Sequence, residues 1–368
     1  MSESLWWFDS FVHRHQASGG VPKTMEPPVA PQTICTTDEK ESGRNEESTV
    51  EEEDWSALMC MGREGGEGYA KHDRQLITLM SSASSASSSP HTKMELNIAS
   101  VRQLSPLDMM DLSWGTSDAT GNRIWLGAWF FLHSILSSKE TIQKYFSAKD
   151  DGVAGRKLRV IELGCGSGLV GIAIARLYIQ NMERLILTDN SPTVLDLCRQ
   201  NVTRNLSSDV TAKVQVSPLE WGSLDDIDQD IALKSFDLVV ATDVIYDLSA
   251  LVPLLETTRS LLKVKEGGAG GGGIWILSHV HRADYTPTST CPTIEEYIID
   301  TAKSYGLYLL SQISAANLLS NSKSPCDHQH NRDDDHDVIV SSDGSKVPIE
   351  EMQDAGATIM VFEKKLGS

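Results

Sequence analysis

Between Val160 and Ala173 the chain reads VIELGCGSGLVGIA, an apolar run interrupted by Gly164, Gly166 and Gly168 and then resumed at helical spacing. That order describes a strand, a tight glycine turn and the start of a helix. Glycine tolerates positive φ and puts no side chain between the main chain and a ligand, so such a turn lets the backbone come close to a nucleotide-like molecule. A nucleoside cofactor is the reading this stretch favours, although glycine turns at strand-to-helix junctions also serve packing alone.

The same alternation extends in both directions. MELNIASV from Met94 has the pattern of a strand, and TGNRIWLGAWFFLHSIL from Thr120 to Leu136 reads as a turn feeding an apolar helix. Strands are predicted at Leu158 to Leu163, Arg184 to Thr188, Ala212 to Val216, Phe236 to Thr242, Ile274 to Val280, Leu307 to Ile313 and Ala357 to Phe362. Helices are predicted up to about Tyr178, after Ser191 with Pro192 at the first helical position, at Leu248 to Leu262 and at Thr293 to Ser304. FDLVVAT, apolar without interruption, suits a strand covered on both faces. The pattern predicts an α/β fold, a mostly parallel sheet with helices on both sides.

Charge separates this body from its additions. The formal net charge is -19, but residues 1–100 carry 16 acidic against 8 basic side chains and 316–354 carry 9 against 3, leaving the body only mildly acidic. Residues 1–92, with acidic runs and the serine tract before Pro90, lack the apolar content to offset chain entropy and read as a largely disordered region ahead of a single domain over 93–368. Flexible insertions are expected near 264–273, where EGGAGGGG lies, and over 316–354. Two apolar patches in the N-terminal region, Leu5 to Phe11 and Gln75 to Met80, could stay unpacked, or dock on a partner or on the protein's own body. No basic footprint for nucleic acid and no run of about 20 apolar residues for a membrane helix is found. The six cysteines form no CxxC pair, which with the absence of a leader suggests a cytoplasmic or nuclear protein, expected to be monomeric.

In open parallel sheets ligands bind beyond the carboxyl ends of the strands. Four features fall there. They are the glycine turn, Asp189 about twenty residues on and able to accept both hydroxyls of a ribose, the stretch LEWG with Trp221 able to stack on a purine, and DVIY from Asp243 to Tyr246. Each has a bland reading alone, as packing, a solvated acid or core; their order and spacing favour one site. Gly166, Gly168 and Gly171 match GxGxxG, so a dinucleotide-dependent oxidoreductase competes. Glu162 makes the pattern E-x-G-x-G-x-G, and an acid there suits a cofactor with a cationic amino-acid end better than a pyrophosphate. S-adenosylmethionine is the nucleoside with such an end.

On these residues the sequence resembles the seven-β-strand methyltransferases, and within them the family 16 group of protein-lysine methyltransferases. Gly121 with WLGA (Trp125 to Ala128), the L-x-W at Leu219 to Trp221, and Asp243 followed three residues later by Tyr246 carry the resemblance, over about Thr120 to Ser314 and the last strand. It implies a Rossmann-like sheet of seven strands with the last antiparallel and S-adenosylmethionine as cofactor. It places Trp125, Glu162, Gly164, Gly166, Gly168, Asp189, Trp221 and Ala241 around that cofactor. Asp243 and Tyr246 would face the substrate, a protein lysine beside a narrow, partly dry channel. A small-molecule or nucleic-acid methyltransferase and a non-catalytic adaptor with the same fold remain open alternatives. No metal site is expected: DHQHNRDDDHD lacks the glycine of a calcium loop and any paired Cys. His279 and His281, at a strand end, could line the substrate mouth or be ordinary strand-end histidines, and Cys165 reads as a small residue of the turn without a nucleophilic role.

Overall fold

The computed structural model describes residues 73–80, 93–100, 120–136, 142–147, 156–223, 231, 235–264, 272–283, 285–320, 339–340 and 349–365. The chain runs through β1 (Asp73–Met80), β2 (Lys93–Ser100), α1 (Leu126–Leu136), β3 (Leu158–Leu163), α2 (Leu169–Tyr178), β4 (Met182–Asp189), α3 (Pro192–Asn205), α4 (Ser208–Thr211) and β5 (Val214–Pro218). It continues with β6 (Leu238–Thr242), α5 (Leu251–Leu261), β7 (Ile274–His279), α6 (Ile294–Ser304), β8 (Leu307–Ser314), α7 (Ala315–Ser320), β9 (Ile339–Val340), α8 (Ile349–Asp354) and β10 (Thr358–Lys364).

Seven strands form one sheet in the order β5-β4-β3-β6-β7-β10-β8. β3 pairs in parallel with β4 and β6, β4 with β5, and β6 with β7, while β10 runs antiparallel between β7 and β8. Alternate residues feed two apolar clusters, one on each face. Val160, Ile274 and Ile276 join the cluster built with α1 and α2, whereas Ile161, Leu163, Trp275 and Leu277 join the one built with α5 and α6. Every residue of α1 from Gly127 to Leu136 is buried, because this helix is enclosed by β7, α2 and α8. A helix apolar all round can sit only in such a place.

The seven-stranded, Rossmann-like sheet matches the expectation, and the last strand in sequence is the antiparallel one. Two segments are more ordered than composition suggested. Gln75 to Met80 lies in strand β1, which pairs antiparallel with β2 along its whole length and buries Ile77 and Leu79, so this patch docks on the body. Leu5 to Phe11 lies outside the described residues. Within 316–354, expected to be a flexible insertion, Ile339 and Val340 pair with Leu79 and Thr78 to complete a second sheet, β2-β1-β9. Met352 in α8 is fully buried in the core. A few apolar residues in an acidic stretch suffice for such docking because the surface they meet is already built. The His/Asp-rich run with His328, His330 and His336 and the glycine tract 266–271 lie outside the described residues.

Candidate active site

Reading outward from β3, the strand order reverses between β4 and β6, so the crevice opens where the glycine turn leaves the sheet. Gly164, Gly166 and Gly168 have φ of 68°, 52° and 83°, values that favour glycine. Space demands it too. A Cβ at Gly164 would stand 2.7 Å from Val244 Cγ1 and 3.3 Å from the Trp221 ring, one at Gly166 would stand 2.9 Å from the Gly121 carbonyl oxygen, and one at Gly168 would stand 2.6 Å from Cys198 Sγ. The half-buried Trp221, Val244 and Gly121 therefore come together at the turn, from three separate stretches of sequence.

Asp189, at the end of β4, orders both the turn and the next helix. Its Oδ2 accepts the Gly166 N–H at 3.1 Å and its Oδ1 accepts the Ser191 N–H at 3.1 Å. Glu162 sits on β3, 1 % exposed, and its Oε2 has no hydrogen-bond partner. Burial pushes its carboxyl up to about 8, against a partial opposing pull from the Gly171 N–H and reinforced by the nearby Asp189 charge. A buried, unpaired carboxyl oxygen beside a glycine cradle fits the cationic amino-acid end of S-adenosylmethionine. Ala241 is fully buried at the register of Leu163, with its side chain in the cluster on the α5 and α6 side. Cys165 is buried, with Sγ 3.9 Å from Cys198 Sγ, and that contact together with burial holds its thiol well above the ordinary value. An unreactive, space-filling thiol is the consequence.

Asp243 is built differently from the substrate-facing acid that the family resemblance implies. It is the one described non-glycine residue with positive φ, at 61°, and its side chain is 2 % exposed. Its N–H donates to the Ser278 carbonyl at 2.7 Å, and its Oδ2 accepts the Gly127 N–H at 2.9 Å and a guanidinium N–H of Arg282. Ser278 Oγ in turn donates to the Gly127 carbonyl at 2.7 Å. Burial raises the Asp243 carboxyl, while Arg282 and the N–H groups of Gly127 and Val280 pull it back. The carboxylate thus faces α1, β7 and Arg282, and it ties the start of α1 to the carboxyl ends of β6 and β7. Tyr246, three residues on, is 50 % exposed.

Arg282 was not legible in the sequence, where SHVHR drew notice only for its histidines. Its guanidinium lies over the Trp125 ring at 4.1 Å, and Arg123 lies over the same ring at 4.9 Å. Trp125 Nε1 donates to the Thr120 carbonyl at 2.9 Å, which fixes the indole plane. Burial and the Arg282 charge both lower the Arg123 pKa. His279 is fully buried with neither ring nitrogen hydrogen-bonded, and burial, with its neighbours His281 and Arg282, drops its pKa to about 3. It is a neutral strand-end residue and no open proton carrier. Among the described residues no group of acidic, Cys and His side chains could hold a metal, and no helix is long and apolar enough to cross a membrane.

Residues 105–279 match the family described as lysine methyltransferase, family 16. This stretch is similar to that family. Among curated relatives, the protein-lysine N-methyltransferase EFM3 of Saccharomyces cerevisiae is 31% identical over 152 residues, 40% of this chain and 41% of the relative. The protein N-lysine methyltransferase METTL21A of Danio rerio is 36% identical over 120 residues, 33% of this chain and 48% of the relative. The human protein-lysine N-methyltransferase EEF2KMT is 35% identical over 117 residues, 29% of this chain and 34% of the relative. The chain therefore spans less than half the length of each. The matched stretch holds the site residues from Trp125 to Tyr246, whereas Arg282 and the β1–β2 hairpin lie outside it.

Proposed function

We propose that the chain transfers a methyl group from S-adenosylmethionine to the ε-amine of a lysine in a protein. The observation that carries the cofactor is the buried Glu162 oxygen without a hydrogen-bond partner, on the strand that leads into a glycine turn whose three glycines admit no side chain. The relatives named above, all protein-lysine methyltransferases by name, support the acceptor.

When bound, the cofactor supplies an already activated methyl sulfonium, so alignment is most of what the protein must add. Gly164, Gly166 and Gly168 let the main chain approach the nucleoside. Asp189, oriented by two N–H groups, accepts the ribose hydroxyls, and Trp221 at the edge of the turn offers a ring face to the base. Glu162 takes the ammonium end, whose charge replaces the proton that burial keeps on the carboxyl. The acceptor amine must be neutral to attack, and removal from water favours its neutral form. Tyr246 is the exposed aromatic at the site mouth that meets the acceptor chain, while Asp243, already bonded, shapes the wall through Gly127, Arg282 and Trp125.

Incubation of the full chain with methyl-labelled S-adenosylmethionine and a cell lysate tests this reading. Label in a discrete protein band, located on lysine by mass spectrometry and lost in Asp189→Ala, is the expected result. Label in nucleic acid or small molecules alone would move the acceptor to another class. Binding of NAD or NADP in place of S-adenosylhomocysteine would remove the methyl donor.

A further inference from the structure

Helix α3 carries Asn201 and Asn205 one turn apart, and both turn their amides onto the free edge of β2. Asn205 Oδ1 accepts the Asn97 N–H at 2.7 Å and its Nδ2 donates to the Asn97 carbonyl at 2.9 Å. Asn201 repeats the arrangement at Ala99, accepting its N–H at 2.9 Å and donating to its carbonyl at 3.0 Å. Two side chains thus stand in for a neighbouring strand and satisfy backbone groups that would otherwise face no partner.

The two asparagines then diverge. Asn201 is fully buried, and its second amide hydrogen goes to the Ser167 carbonyl at 2.9 Å, in the middle of the glycine turn. Its Oδ1 also accepts a guanidinium N–H of Arg204 at 2.8 Å, so all four bonding positions of the amide are filled. Asp189 holds the Gly166 N–H, and within the turn Gly168 N–H donates to the Cys165 carbonyl at 2.9 Å. The Cys165–Gly166 and Ser167–Gly168 peptide groups are therefore each held by a side chain, the first by the carboxylate at the end of β4 and the second by an amide that also grips the hairpin.

We propose that Asn201 is a positioning residue that couples the β1–β2 hairpin to the glycine turn, so that seating of the hairpin sets cofactor affinity. This rests on the reading of the turn as the cofactor site. A planar amide whose positions are all used cannot shift toward one partner without loosening the others. Displacement of β2 therefore drags or frees Ser167, and anything that binds or competes with the hairpin changes the shape the turn offers. Asn205 serves as the built-in control, since it makes the same two bonds to β2 and none to the turn.

The test uses the full chain with Asn201→Ala, Asn205→Ala and Ala99→Pro, the last removing the N–H that Asn201 accepts while leaving the asparagine in place. Titration with S-adenosylhomocysteine should show an affinity loss of about tenfold in Asn201→Ala and less than about twofold in Asn205→Ala, as for one buried hydrogen bond broken at the turn. Hydrogen exchange at Gly166 to Leu169 should quicken in Asn201→Ala and in Ala99→Pro, but not in Asn205→Ala. Equal affinity losses in the two asparagine variants, or unchanged exchange at the turn, would overturn the coupling. If wild type does not bind S-adenosylhomocysteine, the cofactor reading fails, while exchange at the turn still decides the coupling. Should Asn201→Ala not fold, Ala99→Pro decides alone.

Discussion

Gly127 and Asp243 are locked together: the Gly127 N–H donates to the Asp243 carboxylate at 2.9 Å, and a Cβ on Gly127 would stand only 2.9 Å from the Asp243 Cβ. The pair joins the first turn of α1 to the end of β6 across 116 residues of sequence. Gly127→Ala must therefore push Asp243 from its place, and overpacking of this kind costs about 1–3 kcal/mol. Urea unfolding of the variant should show the loss with the slope unchanged. A change below about 0.5 kcal/mol, the ordinary range of surface substitutions, would mean that the contact yields freely.

Arg282 is the partner that lets Asp243 stay charged while buried. Arg282→Met leaves the carboxyl without its cation, and breaking one side of a buried pair costs about 3–5 kcal/mol. Without Arg282 the Asp243 pKa rises further, so the folded state keeps a proton that the unfolded state gives up, and stability falls as pH rises. The thermal midpoint of Arg282→Met should fall further below wild type as pH rises above the ordinary carboxylate range. Adding Asp243→Asn should recover much of the loss at pH 8, and failure to do so would show that the stacking of Arg282 on Trp125 is the larger contribution.

Glu162 gives a second pH dependence. Its carboxyl lies near 4.5 in the unfolded chain and about 8 in the folded one, so folding retains a proton between those values. Stability from this group falls as pH rises through that window and levels off above it. Glu162→Gln removes the penalty. The variant without cofactor should melt above wild type at pH 8, by about 2–4 °C for each kcal/mol recovered, with the gap closing toward pH 5. The same variant should bind S-adenosylhomocysteine more weakly, measured by titration, because an amide cannot neutralise the ammonium end. Tighter binding would place that end elsewhere.

His279 acts in the opposite sense. Its ring titrates near 6.5 when unfolded and about 3 when folded, so only the unfolded chain takes up the proton over that range and stability drops as pH falls below 6.5. His279→Leu fills the space without the two unbonded nitrogens and should flatten the acid side of a plot of thermal midpoint against pH between about 4 and 6.5. An unchanged acid limb would show that other groups govern it.

Much of this architecture is readable because it depends on local pattern. Parallel strands such as LVVAT must be apolar on both faces, and the turn after Leu163 needs glycine at three positions for reasons of φ and space that leave a direct mark in the sequence. Asp189 and Trp221 follow from their place after a strand. What escaped depends on long-range meetings. Arg282 is a single charge in a loop until β7 brings it over Trp125, and Asp243 looks like an open acid until its φ of 61° turns it toward Gly127. The docking of Gln75 to Met80 and of Ile339 and Val340 was weak in the sequence because each short segment relies on a surface made elsewhere. Asn201 and Asn205 look like ordinary helix-surface residues, and nothing in their spacing announces that they face a strand edge.

The position of β10 governs how the protein is made. It lies between β7 and β8, yet it follows both in the chain. On the ribosome β8 therefore has no seat on the sheet until Lys364 has emerged, and β7 waits with an open, apolar edge. Until then the nascent protein exposes a strand that other chains could join. Chaperone occupancy should persist through synthesis of the stretch between β8 and β10.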